Sequence, residues 1–282
     1  APSVEGPPKE RPRFAWPAAY GIPVRERATK RGHVADMTYL VRTCPAANGR
    51  LRVEHAEFRF LSFDGIPAED PRVLEALQLL APLLAAIPAF IVDSSGRVLD
   101  LEGVDEMLAT FAKTLPDEKA DAVVKAFSGE QGRAIFKQAT FARWRAWVES
   151  WLAYEPERGP RLDIEAEAFG QPQKHELSFD GWSGKRARLS LRSKFSKETV
   201  RAMLASLFGA FGATGVDLQK IEASTVEHTT RVETDWPEIR PYSVVTEQRI
   251  SITFDGKTVE RNETHDYRFD WANAKPVTCP PR

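Results

Sequence analysis

Hydrophobic and polar positions along this chain follow two different periods, and the switches between them mark its elements. From residue 24 to 63 the period is two. Met37, Tyr39 and Val41 alternate with Thr38, Leu40 and Arg42, as expected of strands with one face more buried than the other. A turn at Pro45-Ala46-Ala47-Asn48-Gly49 separates this run from Leu51-Arg52-Val53-Glu54, because an Asn-Gly pair accepts positive φ. The apolar parity then changes twice: Leu51 and Val53 are odd, Ala56, Phe58 and Phe60 even, Leu61 and Phe63 odd again. A one-residue bulge at each switch keeps the apolar side chains on one face.

After Asp64-Gly65-Ile66-Pro67 the period lengthens. Asp70 and Pro71 form a helix start, cap and first helical position, followed by Val73, Leu74, Leu77, Leu80 and Ala81 at helical spacing. Pro82 ends or kinks that helix, inside the most apolar segment of the chain, residues 79–88. Phe90 to Asp93 and Arg97 to Asp100 then flank Ser94-Ser95-Gly96 as a small hairpin. Helices are predicted at 104–114, 117–127 and 130–154. The last has the sharpest pattern: Phe136, Thr140, Trp144, Trp147 and Trp151 recur every three or four residues, widened by Phe141, Val148 and Tyr154.

The period returns to two at 161–169, 173–180 and 185–193, where Leu189 and Leu191 alternate with Arg188, Ser190 and Arg192. One helix follows, capped by Ser196 and running through Val200, Met203, Leu204, Leu207 and Phe208. The remainder is strand, at 218–234, 242–254 and 257–271, with Asp255-Gly256 as the last tight turn. No βαβ alternation occurs, which argues against a doubly wound nucleotide-binding fold. The predicted class is α+β: a large curved antiparallel sheet, half-barrel-like, packed on helices. Residues 1–20 read as a flexible proline-rich leader and 21–282 as one domain, with 66–155 as a mostly helical insert.

Composition adds a redox expectation. The chain has two cysteines, Cys44 and Cys279, in 282 residues. They lack CxxC or zinc-ligand spacing, so a disulfide joining the early strands to the last residues is expected. It would anchor a Val277-Thr278-Cys279-Pro280-Pro281-Arg282 tail whose prolines offer few amides. A first residue other than Met, together with this bond, suggests an exported, periplasmic or cell-surface protein whose signal has been removed. No run of 18 apolar residues occurs.

Charge narrows the partners. Lys plus Arg total 39 against 40 Asp plus Glu, a formal net charge of -1. A general nucleic-acid binder would show a basic excess. Residues 1–50 carry nine Lys or Arg against four Asp or Glu, a basic arm suited to an anionic membrane or envelope polymer.

Local catalytic motifs are missing. The five histidines, His33, His55, His175, His228 and His265, fall in predicted strands without HxH or HExxH spacing. The best placed are His228 beside Glu227 and His265 beside Asp266. Asp93, Asp100, Glu102, Asp105 and Glu106 cluster without a calcium-loop pattern. No catalytic residue, metal ligand or cofactor is assigned.

What remains is apolar. Leu80, Leu83, Leu84 and Ile87, with Trp144, Trp147 and Trp151, are the candidates to line a groove between sheet and helices. Such walls suit a lipid or acyl chain, since binding removes apolar area from water without demanding many hydrogen bonds. The order of elements resembles that of envelope proteins that carry lipoproteins or lipids between membranes in a half-open sheet closed by helices; the likeness is one of architecture alone. It implies a non-enzymatic, lipoprotein-like protein that binds an apolar small molecule or an envelope partner, with peripheral membrane contact. The alternatives are a hydrolase assembled only in three dimensions and a structural or interaction module.

Overall fold

The computed structural model describes residues 6–74, 87–114, 117–168, 171–210 and 217–279. In chain order the strands are β1 (Tyr20–Lys30), β2 (His33–Pro45), β3 (Leu51–Phe63), β4 (Ile66–Pro67), β5 (Ala89–Val92) and β6 (Val98–Glu102). Three helices come next: α1 (Val104–Ala112), α2 (Asp117–Ser128) and α3 (Glu130–Trp147). Then come β7 (Arg161–Ala168), β8 (Gln171–Ser183) and β9 (Arg186–Phe195), and helix α4 (Lys197–Ala210). The chain finishes with β10 (Ile221–Asp235), β11 (Arg240–Phe254), β12 (Lys257–Phe269) and β13 (Lys275–Pro276).

The thirteen strands among the described residues belong to one open antiparallel sheet, ordered β6-β5-β3-β2-β1-β12-β11-β10-β9-β8-β7, with β4 on β3 and β13 on β1. Strands from the two ends of the sequence meet at its centre, where β1 pairs with β12 from Val24–Phe269 to Lys30–Glu263. The hairpin expected at 90–100 is part of this sheet, since β5 pairs with β3 through Leu51–Val92 and Val53–Phe90. The chain therefore leaves the sheet at one edge, β6, and re-enters at the other, β7. The helical stretch between them has to cross the sheet.

The strand alternation predicted from sequence sorts the two faces. Outward positions on the central strands carry ion pairs: Arg25 with Asp36, Arg231 with Glu247, Arg186 with Glu233. Inward positions carry Ile22, Val24, Val41, Leu177, Leu189, Val232 and Val244, all at most 3% exposed. Both parity switches in β3 are register shifts against β2. The first lies at Glu57, held at φ 55, one residue beyond the position the parity suggested. Asp255-Gly256 takes positive φ at both residues, as a two-residue turn between right-twisted strands requires; Asn48-Gly49 does so inside a longer connection whose 3-10 turn spans Ala47–Gly49.

Helix α3 ends earlier than its stripe implies. Val148 departs from helical geometry (φ -137, ψ -63), and a 3-10 turn, Glu149–Ala153, carries the chain on. Trp151 reaches the core from that turn, its Nε1 donating to the Ala146 carbonyl at 2.8 Å. Asp70 caps the turn at 71–74 through its Oδ1, which accepts from the Arg72 amide at 3.0 Å. Ser196 Oγ accepts from the Thr199 amide at 3.1 Å at the start of α4.

The proline-rich N-terminal stretch packs against the rest of the chain at several of its described residues. Trp16 is 5% exposed, sits edge-on to Trp144 and Trp271, and donates from Nε1 to the Ile239 carbonyl at 2.8 Å. Phe14 lies over Gly96, where a Cβ would come within 2.8 Å of its ring. Arg11 pairs with Glu157, and the indoles of Trp182 and Trp236 donate to Gly6 and Glu10 carbonyls. Proline content suggests a tether; two aromatic side chains two residues apart outweigh it, because their burial removes a large apolar area from water.

Cys44 and Cys279 form the disulfide. It holds the tail beside β1, where β13 pairs with Tyr20 and Gly21 and the Val277 amide donates to Ala19. Among the described residues no helix is long and apolar enough to cross a membrane.

Packing of the N-terminal strap is testable. Trp16→Ala should lower unfolding free energy by about 3–5 kcal/mol, the range for truncating a buried aromatic, measured by urea denaturation. A loss below about 1 kcal/mol would mean the strap does not contribute to the core.

Candidate functional site on the inner face of the sheet

The inner face divides into three zones along the strands. In the first, α3 supplies Trp144 and Trp147, and the turn after it Trp151; each is 0% exposed. Trp147 meets Tyr267 and Phe269 edge-on, and Trp144 meets Phe90 and Trp16. Trp144 Nε1 donates to the Gly96 carbonyl at 2.8 Å, tying the helix to the β5–β6 turn. The three indoles thus fill the space between helix and sheet. Ile87 is half-buried at the entry to β5. Leu80, Leu83 and Leu84 lie outside the described residues, as does the side chain of Phe136.

The second zone is charged and buried. Glu26 on β1 is 2% exposed. Its Oε2 accepts from the Tyr39 hydroxyl at 3.1 Å, and its Oε1 from His265 Nδ1 at 2.8 Å. Arg143 of α3 stands 3.7 Å away, with its guanidinium over the rings of Tyr39, Trp147 and Tyr267. Burial pushes the Glu26 carboxyl up, but Arg143, His265 and Tyr39 together hold it below the usual carboxylate range. Burial pulls Arg143 down, while both phenols and Glu26 carry it well above its ordinary value. Burial and Glu26 raise the Tyr39 phenol strongly. All are charge-locked near neutral pH. The pair clamps α3 to the sheet; a carboxylate with an opposite charge nearby and hydrogen bonds to both oxygens survives burial where a lone charge would not.

Next to the clamp, His55 on β3 packs among Tyr39, Phe58, Phe90 and Trp147. Both its ring nitrogens, and Trp147 Nε1, are buried without a hydrogen-bond partner among the described residues. Burial first, and Arg143 second, depress His55 to about 3, so it stays neutral.

The third zone, farther from α3, begins with an inward row set by register. Lys30 pairs with Glu263, Glu263 with Gln248, Gln248 with His228, His228 with Ser193, and Ser193 with His175. Beyond it lie Arg261, Ile250, Val226 and Phe195. Helix α4 packs on β8, β10 and α3 and roofs one end of this row.

The carboxylate neighbours singled out for His228 and His265 do not serve them. Adjacent strand residues point to opposite faces: Glu227 pairs outward with Lys194 and Asp266 with Arg268, while His265 finds Glu26, 239 residues away. The acidic cluster near the small hairpin is dispersed among Lys137, Arg133 and Arg52, which pair with Asp100, Asp105 and Glu102, and Asp93 accepts from Ser95 and Arg97 within its turn. A separate open cleft of ≈ 520 Å³ is lined by Arg11, Arg97, Tyr154, Arg158, Leu162 and Glu165 among others.

No protein-family model matches the chain, and no curated protein matches it. Among solved structures it is similar to lipovitellin, in a structure described for its lipid-protein interactions, with a TM-score of 0.44 and 8% identity over 95% of this chain. This chain spans 26% of that one. It is also similar to the MucA/MucB complex of Pseudomonas aeruginosa, with a TM-score of 0.15 and 9% identity, covering 92% of this chain and 94% of that one. At these values neither likeness assigns a family or an activity.

The His55 environment makes a pH prediction. Folding holds this ring neutral to about pH 3, whereas the unfolded chain protonates it near its ordinary 6.5. Between those values the unfolded state binds the extra proton, so stability falls as pH drops, at about 1.4 kcal/mol per unit for one site. His55→Phe should flatten the fall in urea-unfolding free energy between pH 6 and pH 4 by about that slope. Equal slopes in the two proteins would count against the buried, unpaired ring.

Proposed function

We propose that this protein is a non-catalytic carrier or receptor that holds an apolar molecule, a lipid or acyl chain, between the inner face of the sheet and its helices. One observation supports this above others. The inner face carries further apolar residues past the reach of the tryptophan wall: Ala28, Ala35, Phe60, Ile250 and Ile252 share that face, are half-buried, and lie outside the buried core cluster. Strands as long as β10 and β11 extend about 50 Å, whereas α3 runs about 27 Å, so the sheet is longer than its helical cover. In this reading Trp144, Trp147 and Trp151 form the closed end of a groove. Leu80, Leu83, Leu84 and Ile87, the most apolar stretch of the sequence, are the candidates for its further lining.

The same reading takes residues 21–282 as one unit, the sheet as a half-barrel and 66–155 as its inserted cover. Arg97 from the β5–β6 turn and Leu162 to Glu165 of β7 line one cleft, which fits two sheet edges curling toward each other. Export to the periplasm or cell surface, where an envelope protein or membrane would exchange cargo, fits the disulfide, since such bonds persist in oxidising compartments.

A hydrolase is the second reading, and it rests on the bond between His175 Nδ1 and Ser193 Oγ. Burial lowers the His175 basicity, and no carboxylate among the described residues bonds this ring. Both features weaken a general base.

Native mass spectrometry of the full chain, purified without organic solvent, should reveal a bound lipid-sized mass that extraction removes. The extracted protein should take up cis-parinaric acid, and Ile250→Glu should reduce that uptake at least about tenfold, because a charge on an apolar wall must be desolvated. A chain that carries nothing and takes up no probe would end the carrier reading.

A further inference from the structure

The row that crosses the third zone is unusual chemistry for an interior face. Six consecutive strands, β1, β12, β11, β10, β9 and β8, each place a polar side chain inward at one level: Lys30, Glu263, Gln248, His228, Ser193 and His175. Apolar residues follow on the side remote from α3, with Ile250 and Val226 directly beyond Gln248 and His228.

Several polar atoms here lack partners among the described residues. Thr230, one step toward α3 from His228 on the same face, is 1% exposed and its hydroxyl has no partner. Gln173, on the inner face of β8, is 2% exposed; its amide donates to Lys194 O, but Oε1 accepts nothing. Buried polar groups without partners are destabilising, and a protein that retains several on one surface places them for something that binds there.

Charge narrows what that is. Lys30 and Arg261 share one carboxylate, Glu263, which leaves one positive charge in excess. Arg143, in the zone above, is engaged with Glu26. The other groups are neutral hydroxyls, an amide and imidazoles that burial keeps uncharged. A head with a single negative charge and two oxygens fits one excess charge and a few neutral donors. A phosphate monoester carries nearly two charges and favours a guanidinium fork, and the guanidinium beside this row among the described residues, Arg261, is paired with Glu263.

We infer that Ser193, His228, Thr230 and Gln248 form a recognition site for the carboxylate of a long-chain fatty acid, whose tail lies along Val226, Ile250 and Ile252. Thr230 and His228 are two residues apart on β10 and Gln248 is one strand away, spacings of about 7 Å and about 5 Å that a bound head can bridge. The inference rests on the carrier reading and names its ligand class.

Displacement of cis-parinaric acid from the delipidated full chain tests it, with oleate, methyl oleate and oleoyl lysophosphatidate as competitors. Oleate should compete at least about tenfold better than methyl oleate, as expected when a charged head gains hydrogen bonds its ester cannot make. The double variant Thr230→Val with Gln248→Leu should erase most of that advantage and leave methyl oleate within about twofold. Thr230→Val alone should not lower the thermal midpoint, because it replaces an unpaired buried hydroxyl by a methyl group. Oleate and methyl oleate competing equally would overturn the carboxylate site and leave the apolar groove standing. Tighter binding of oleoyl lysophosphatidate than of oleate would overturn the head-group class. Failure of every probe to bind would overturn this inference and the carrier reading together.

Discussion

Everything in this architecture follows from the pairing of β1 with β12. By joining strands from the two ends of the chain at the middle of the sheet, it sends the intervening sequence outward in both directions, to β6 on one side and β7 on the other. A connection between opposite edges cannot be a tight turn. It has to run across one face, and helices do this while satisfying their own backbone hydrogen bonds. The inner face is therefore covered by sequence that lies midway along the chain, and the outer face is left to water and ion pairs. The disulfide and β13 reinforce the same junction from the C-terminal side, and Trp16 reinforces it from the N-terminal side by filling the space between α3 and Trp271.

The pairing of buried Glu26 with half-buried Arg143 is the second organising choice. An apolar pair of similar volume would hold α3 to the sheet with no desolvation penalty. The ion pair instead specifies one position of the helix, because Glu26 can satisfy its oxygens only where Tyr39, His265 and Arg143 converge. It also marks a boundary. On one side, indoles and aliphatic chains fill the interior completely; on the other, the inward side chains are polar in one row and half-buried beyond it. A helix free to slide along an apolar face would close that second region, and a helix pinned by a buried charge does not.

Much of this was legible in the sequence, and the residues show why. Alternation at Met37, Tyr39 and Val41, the parity switches of β3, the Asp255-Gly256 turn, the Ser196 cap and the tryptophan stripe are all local signals with a period of two to four residues. The disulfide was legible for a different reason, since two cysteines without other chemistry leave one pairing. What was not legible shares a cause as well. Proline-rich residues 6–16 looked like a tether, yet Phe14 and Trp16 dock onto Gly96 and Trp144, more than 80 residues away. Glu227 and Asp266 looked like partners for their neighbouring histidines, but strand geometry sends neighbours to opposite faces. Neither the clamp nor the polar row is visible locally, because each is made by register between strands far apart in the chain.

That last point explains why the chain carries no catalytic signature while its interior is still chemically structured. A motif written along one segment positions its groups by backbone spacing, and it survives as a recognisable string. A row written across six strands positions one group per strand, and each of Gln248, His228, Ser193 and His175 in isolation reads as an ordinary strand residue. What distinguishes them is the combination of a shared face, a shared level and hydroxyl, amide and imidazole groups set beside apolar rows. Such a row can hold a polar head at a defined depth while the strands beyond it offer an apolar surface, which is the division of labour an amphiphile requires of its binding protein.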